Sequence, residues 1–220
     1  MELKPDMTVD EAKEYLRDNL KSSITNDIYP IIQPDREEGG YFGVSRLVLC
    51  YVDFLGALYG GYQGERHRPN KRFPRGSKKI ATSDKALKFI RTILGSIDSH
   101  YQHNADLLYE MHRHGTVHLY APKFFQRAND GRKLYWFVYK GKREERVPVG
   151  RGTLRVRHME PVPRDEKSDW LPVSIICLYD DLNAAIDEFC ARLDSDADLL
   201  RRCNQAARAL SEPEETSLNW

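Results

Sequence analysis

The stretch Leu108-Tyr109-Glu110-Met111-His112-Arg113-His114-Gly115-Thr116-Val117-His118-Leu119-Tyr120-Ala121-Pro122-Lys123 decides how this chain is read. Leu107, Leu108 and Met111 fall at helical spacing, which predicts an inward-facing helix from about Asn104 to His118 or Leu119. Pro122 stops it, because proline lacks the N–H that a further helical turn requires. Five of the seven histidines lie between His100 and His118, so the helix end is also the densest chemistry in the chain. Arg113, His114 and His118 place a permanent planar cation beside two groups that titrate near neutrality.

Upstream, the pattern predicts three more helices. Thr8 is an N-cap with Glu11 as its capping-box partner, and Val9, Ala12, Leu16 and Leu20 form one stripe of a helix from Met7 to Ile24. Pro30, Pro34 and Gly39-Gly40 then predict a loop from Tyr29 to Gly43. Ser45 opens a second helix to about Leu58, apolar all round as a central bundle helix should be, and Gly60-Gly61 ends it. Thr82 or Ser83 opens a third, with Leu87, Ile90, Leu94 and Ile97 spaced by threes and fours.

Downstream of Pro122 the period changes. Leu134 to Tyr139 reads as a strand, Lys140-Gly141 as a turn, and Arg146 to Val149 and Thr153 to His158 as further strands. Val173 to Leu178 reads as an inner strand, Asp180 or Asp181 as the cap of a helix to Leu193, and Asp196 to Leu210 as a last helix. The run Tyr135-Trp136-Phe137 is expected in the core rather than as a stacking platform. The fold class is therefore α+β and mainly α. A helical bundle over residues 1–122 is followed by a small antiparallel β section with closing helices over residues 123–220. No Gly/Ser-rich linker separates the two, so they are expected to pack as one body.

Bulk properties narrow the partners. With 40% hydrophobic and 30% charged residues the chain is an ordinary folding sequence, not a disordered one. A net charge of +1 gives the whole molecule no general pull toward nucleic acid or anionic membrane, so any such attraction must be local. One local source is the segment holding Arg66, Arg68, Lys71, Arg72, Arg75, Lys78 and Lys79 against the single acid Glu65. It is either a solvated loop or an electrostatic clamp for an RNA backbone, with Phe73 available to stack on a base. Met1 to Asp10 is polar and leads into no apolar signal core, and Val44 to Leu58 is short for a bilayer span and interrupted by Asp53. Cys50, Cys177, Cys190 and Cys203 are widely spaced with no CxxC, which fits reduced thiols in a cytoplasmic protein without membrane attachment.

The Arg113-to-His118 segment resembles the HEPN superfamily (higher eukaryotes and prokaryotes nucleotide-binding), whose signature is Arg, usually a polar residue, then His after four to six intervening residues. His114 stands at the polar position, the segment lies in the last of about four helices, and Gly115 and Pro122-Lys123 are similar to bacterial members. The resemblance covers roughly residues 8 to 123. It implies a metal-independent endoribonuclease that needs no cofactor and acts on RNA as a homodimer, with Arg113 and His118 catalytic and His114 assisting. It also implies a defence or toxin–antitoxin setting, with an antitoxin protein as a further partner.

The residue types suit that chemistry on their own terms. Attack of a ribose 2′-OH on the neighbouring phosphate needs proton transfer, which histidine provides, and stabilisation of a phosphorane, which arginine provides. Positions five apart on an α-helix lie about 140° around the axis, so Arg113 and His118 converge only if Gly115 and the helix end loosen the last turn, or if a second subunit completes the site. Other roles stay open. Arg113 could pair with Glu110 one turn earlier, and His118 could serve the helix C-terminus. His114 and His118 at i, i+4, with His100, His103 or His112, could hold a metal, although no HExxH pattern is present. A non-catalytic RNA- or nucleotide-binding module and a protein-interaction domain are the competing functions.

Overall fold

In the computed structural model, which describes residues 3–33, 39–62, 82–115 and 121–211, the first helix begins at its predicted cap. Thr8 Oγ1 accepts from the Glu11 N–H at 3.3 Å, and the Glu11 carboxylate accepts from the Thr8 N–H at 2.8 Å, a complete capping box. Helix α1 is one rod of three parts: Val9–Glu14, a π-helical stretch Tyr15–Leu20, and Lys21–Ile32. Its buried stripe is Ala12, Leu16, Leu20, Ile24, Ile28 and Ile32, a strict period of four. On a regular α-helix that period drifts roughly 40° per step, so the stripe would wind off the core. The π stretch takes more residues per revolution and brings the stripe back onto one face. Pro30 does not break the helix as expected; it sits in the last turn, where burial of Ile28 and Ile32 on that stripe outweighs one lost backbone bond.

Helix α2 spans Tyr41–Gly60 and starts four residues before the predicted Ser45 cap. Gly39 and Gly40, at φ 99° and 75°, turn the chain into it, and Ser45 is buried inside, donating to the Phe42 carbonyl at 3.2 Å. Gly61 (φ 70°) ends it, as the sequence predicts. At 20 residues α2 exceeds the Val44 to Leu58 run expected from sequence and is, by length and composition, long and apolar enough to cross a bilayer. Here Val44, Val48, Leu49, Val52, Leu55 and Leu58 are buried within the protein.

Helix α3 runs Thr82–Phe89, through π-helical Ile90–Leu94, to Gly95–Ile97. It crosses α2 at Gly56, where a Cβ would lie 2.7 Å from Ala86 Cα, so only glycine permits that approach. Helix α4 comprises Ser99–Leu108 and π-helical Tyr109–His114. It starts five residues before the expected Asn104, because Asp98 caps it by accepting from the His100 N–H at 2.9 Å. Asn104 is instead an internal kink (φ −112°, ψ 17°) whose side chain donates to the Met159 carbonyl at 2.8 Å.

The β section corrects the all-antiparallel expectation. Strands β1 (Phe125–Gln126), β2 (Lys133–Tyr139), β5 (Val162–Asp165) and β6 (Ser168–Ser174) form one sheet in the order β1-β2-β6-β5, while β3 (Glu144–Val149) and β4 (Gly152–Arg157) pair as a separate hairpin. The central pair β2–β6 is parallel, and β1 and β5 flank it antiparallel. The hairpin and β5 supply the long connection that a parallel pairing needs. Leu134, Trp136 and Val138 of β2 pack on the helices, while Phe137 and Tyr139 pack with Val147 and Val156 of the hairpin.

The predicted strand Val173 to Leu178 is divided. Its first two residues close β6, and Ser174 caps helix α5 (Ile175–Ser195) by accepting from the Cys177 N–H at 3.2 Å. Asp180 and Asp181 therefore lie within the helix rather than at its cap. Helix α6 spans Ala197–Ser211, with Asp196 accepting from the Leu199 N–H at 3.0 Å. Leu178, Leu182, Ile186 and Phe189 of α5 share one core with Leu16, Leu49 and Phe89. Tyr59, Phe89 and Phe189 meet there edge to face, with centroids 5.9 to 6.1 Å apart, tying α2, α3 and α5 together. The architecture is thus mixed α+β and mostly helical.

Candidate functional site

Arg113 lies in the π-helical stretch of α4, one turn after Tyr109, and both side chains reach one carboxylate on α2. Tyr109 Oη donates to Asp53 Oδ1 at 2.6 Å, and Arg113 Nε donates to Asp53 Oδ2 at 2.6 Å. The Arg113 and Asp53 side chains are 24% and 14% exposed, so the pair sits at the rim between core and solvent. Burial alone would lower the Arg113 pKa, but the hydrogen bond and charge of Asp53 raise it, and the guanidinium stays charged. Burial, then the Asp53 bond, pushes the Tyr109 phenol up. Besides the pairing with Glu110 that the sequence left open, Arg113 has this cross-helix partner. Asp53 appeared in the sequence only as an interruption of an apolar run; nothing local marks it as the partner of a residue 60 positions on.

The helix is already loosened where the motif begins, ahead of Gly115. The wide turn covers Tyr109–His114, and Gly115 itself is helical (φ −63°, ψ −54°). Its glycine identity serves a different need. A Cβ there would lie 2.6 Å from Lys123 N, 2.8 Å from Ala121 O and 2.9 Å from Pro122 Cα. The chain beyond residue 120 folds back against it, and the Lys123 N–H donates to the Met111 carbonyl at 3.0 Å. His114 closes the helical stretch in its backbone, while its side chain, His118, and the basic residues Arg66, Arg68, Lys71, Arg72, Arg75, Lys78 and Lys79 lie outside what the structure describes. Of the predicted site residues, Arg113 is the one whose contacts are defined.

The other histidines take separate roles. His112 is fully buried, and burial pushes its pKa down to about 4. His103 Nδ1 contacts the Ser99 carbonyl at 2.8 Å. His100 Nδ1 lies 2.8 Å from Asp98 Oδ1. Among the described residues no group of three His, Cys, Asp or Glu side chains is arranged to hold a metal ion. Cys177, Cys190 and Cys203 are buried free thiols, and Cys50 is exposed.

A second polar constellation joins the helices to the β section. The Ser174 N–H donates to His158 Nδ1 at 2.9 Å, so the proton of the neutral ring sits on Nε2, which is 2.8 Å from Tyr101 Oη. Tyr101 donates onward to Asp181 Oδ2 at 2.8 Å. Arg143 bridges Asp181 and Asp98, the latter at 2.6 Å. Burial and then Arg143 push His158 down to about 3. Burial would raise Asp98, yet the His100 N–H, the His100 ring and Arg143 hold it at about 2. Asp181 is raised by burial despite Tyr101 and Arg143. These residues come from α4, the β2–β3 turn, the end of β4 and α5, so linear spacing carries no sign of the cluster. Its chemistry is that of a satisfied buried network that fixes how those elements meet.

Neither a family model, nor a curated protein, nor a solved structure matches this chain.

Proposed function

We propose that this protein is a HEPN-like, metal-independent endoribonuclease, or an RNase-derived relative that binds RNA, acting as a homodimer in a defence or toxin–antitoxin setting. The observation that carries the reading is the Asp53–Arg113 bond. It fixes a permanently charged guanidinium at the protein rim, in the helix that leads into His114 and His118. The bond runs through Nε, and the rest of the guanidinium fork lies outside it, the part suited to phosphate oxygens. In this mechanism His118 takes the proton of a ribose 2′-OH as its oxygen attacks the adjacent phosphate. Arg113 stabilises the phosphorane, and the 5′-oxygen leaves with a proton supplied by His114 or by the partner's copy of these groups. The products are a 2′,3′-cyclic phosphate and a free 5′-hydroxyl.

The same bond favours a second reading, in which Arg113 ties α2 to α4 and the protein binds RNA without cutting it. Cleavage of single-stranded RNA in EDTA, lost in Arg113→Ala and His118→Ala and accompanied by dimer on size-exclusion chromatography, supports the first. Intact RNA bound with a steep salt dependence replaces it with the second.

A further inference from the structure

The sheet face turned away from the helices carries rings that the β3–β4 hairpin does not fully cover. Along β2, Lys133 and Tyr135 point to this face, since alternate residues share a side. Phe124, just ahead of β1, is 57% exposed and lies flat on Tyr135, with centroids 5.4 Å apart and planes 18° from parallel. Tyr135 and Trp170 are register partners across β2 and β6. The Arg164 guanidinium lies 4.5 Å from the Tyr135 ring centre and 5.5 Å from that of Trp170. The expectation that Tyr135-Trp136-Phe137 is core therefore holds for Trp136, which packs inward, and for Phe137, which packs with the hairpin cluster, while Tyr135 belongs to the uncovered part of this other face.

A lone exposed apolar residue needs no explanation. Two stacked rings, Phe124 and Tyr135, with Trp170 linked to Tyr135 through the Arg164 guanidinium that lies against both, and with the exposed Lys133 beside them, select ligands that are planar and anionic together, even with the Asp165 carboxylate 4.0 Å from Arg164 Nε. A nucleobase with its phosphate has that character. The surface also adjoins the motif helix: Lys123, bonded to Met111, immediately precedes Phe124.

We propose that Phe124, Tyr135 and Trp170, with Arg164 and Lys133, form a stacking platform for the bases of single-stranded RNA. The proposal rests on RNA being this protein's ligand, as proposed above, but not on RNA being cut. A duplex hides its base faces, so the platform discriminates against it.

The test is fluorescence anisotropy on the full chain with a labelled 2′-O-methyl single-stranded oligonucleotide, which cannot be cleaved through a 2′-OH. A duplex of equal length and an abasic strand are measured beside it. Phe124→Ala, exposed enough to leave folding intact, should weaken single-strand binding about tenfold and leave duplex binding unchanged, while Phe124→Trp retains affinity. An oligonucleotide carrying 5-iodouridine should crosslink to peptides spanning residues 121–139 or 162–174. Unchanged affinity in Phe124→Ala, equal affinity for the abasic strand, crosslinks elsewhere, or no binding at low salt would each overturn the platform. A parallel cleavage assay separates the two proposals. Ring-dependent binding without cleavage removes the nuclease and keeps the platform, and cleavage with ring-independent binding does the reverse.

Discussion

Lowering the pH from 7 to 5 should cost this protein about 4 kcal/mol of folding stability through two buried histidines. His112 and His158 are both fully buried, and burial depresses their pKa values to about 4 and about 3 from the ordinary 6.5. The unfolded chain binds a proton at each as pH falls below 6.5, while the folded chain resists until near 4 and 3. Stability is therefore complete above 6.5 and falls with acidification, at up to about 1.4 kcal/mol per pH unit for each histidine. Integrated from pH 7 to 5, each contributes about 2 kcal/mol. Asp98, held at about 2, titrates below this window; Asp181, raised by burial, acts in the opposite sense and trims the total. Urea unfolding followed by far-UV circular dichroism at both pH values measures the difference. His112→Leu should remove about half of it. Equal stability at pH 5 and pH 7 would refute the reasoning, because it would require both rings to be protonated, or solvated, in the folded state.

Three further expectations concern the site and its supports. Asp53→Ala leaves the Tyr109 hydroxyl and the Arg113 guanidinium without their shared carboxylate, and should destabilise by roughly 1–3 kcal/mol in urea unfolding while lowering any RNA cleavage. Gly115→Ala puts a methyl group within 2.6 to 2.9 Å of the returning backbone and should cost roughly 1–3 kcal/mol, with Lys123 amide exchange accelerated as its bond to Met111 opens. Phe189→Ala removes a fully buried ring from the Tyr59–Phe89–Phe189 cluster and should cost roughly 3–5 kcal/mol by the same unfolding measurement.

Local rules carried the sequence reading where the cause was local. The Thr8–Glu11 box, the Gly61 stop and the apolar periods of the helices all act within a few residues, and each is visible in one window of sequence. Misreadings arose where tertiary burial overrode a local signal. Pro30 looked like a break, but the stripe of Ile24, Ile28 and Ile32 carried the helix through it. Ser45 looked like a cap because nothing in sequence showed that Gly39 and Gly40 had already turned the chain into α2. The parallel β2–β6 pairing joins strands whose connection includes a hairpin and another strand, a choice made by long-range packing. Arg113 was found by its residue type and position, whereas its partner Asp53 and the Tyr101–His158–Asp181–Arg143 network are brought together only by folding.

The central claim is that the Arg113 and His118 segment cleaves RNA without a metal. The most direct measurement is incubation of a single-stranded RNA with the full chain in EDTA, beside the His118→Ala and Arg113→Ala variants, with product ends analysed by mass spectrometry. The account predicts fragments ending in 2′,3′-cyclic phosphate from the unaltered protein, no cleavage by either folded variant, and none of the corresponding DNA. RNA left whole by the unaltered protein, or cut equally well by His118→Ala, would contradict it.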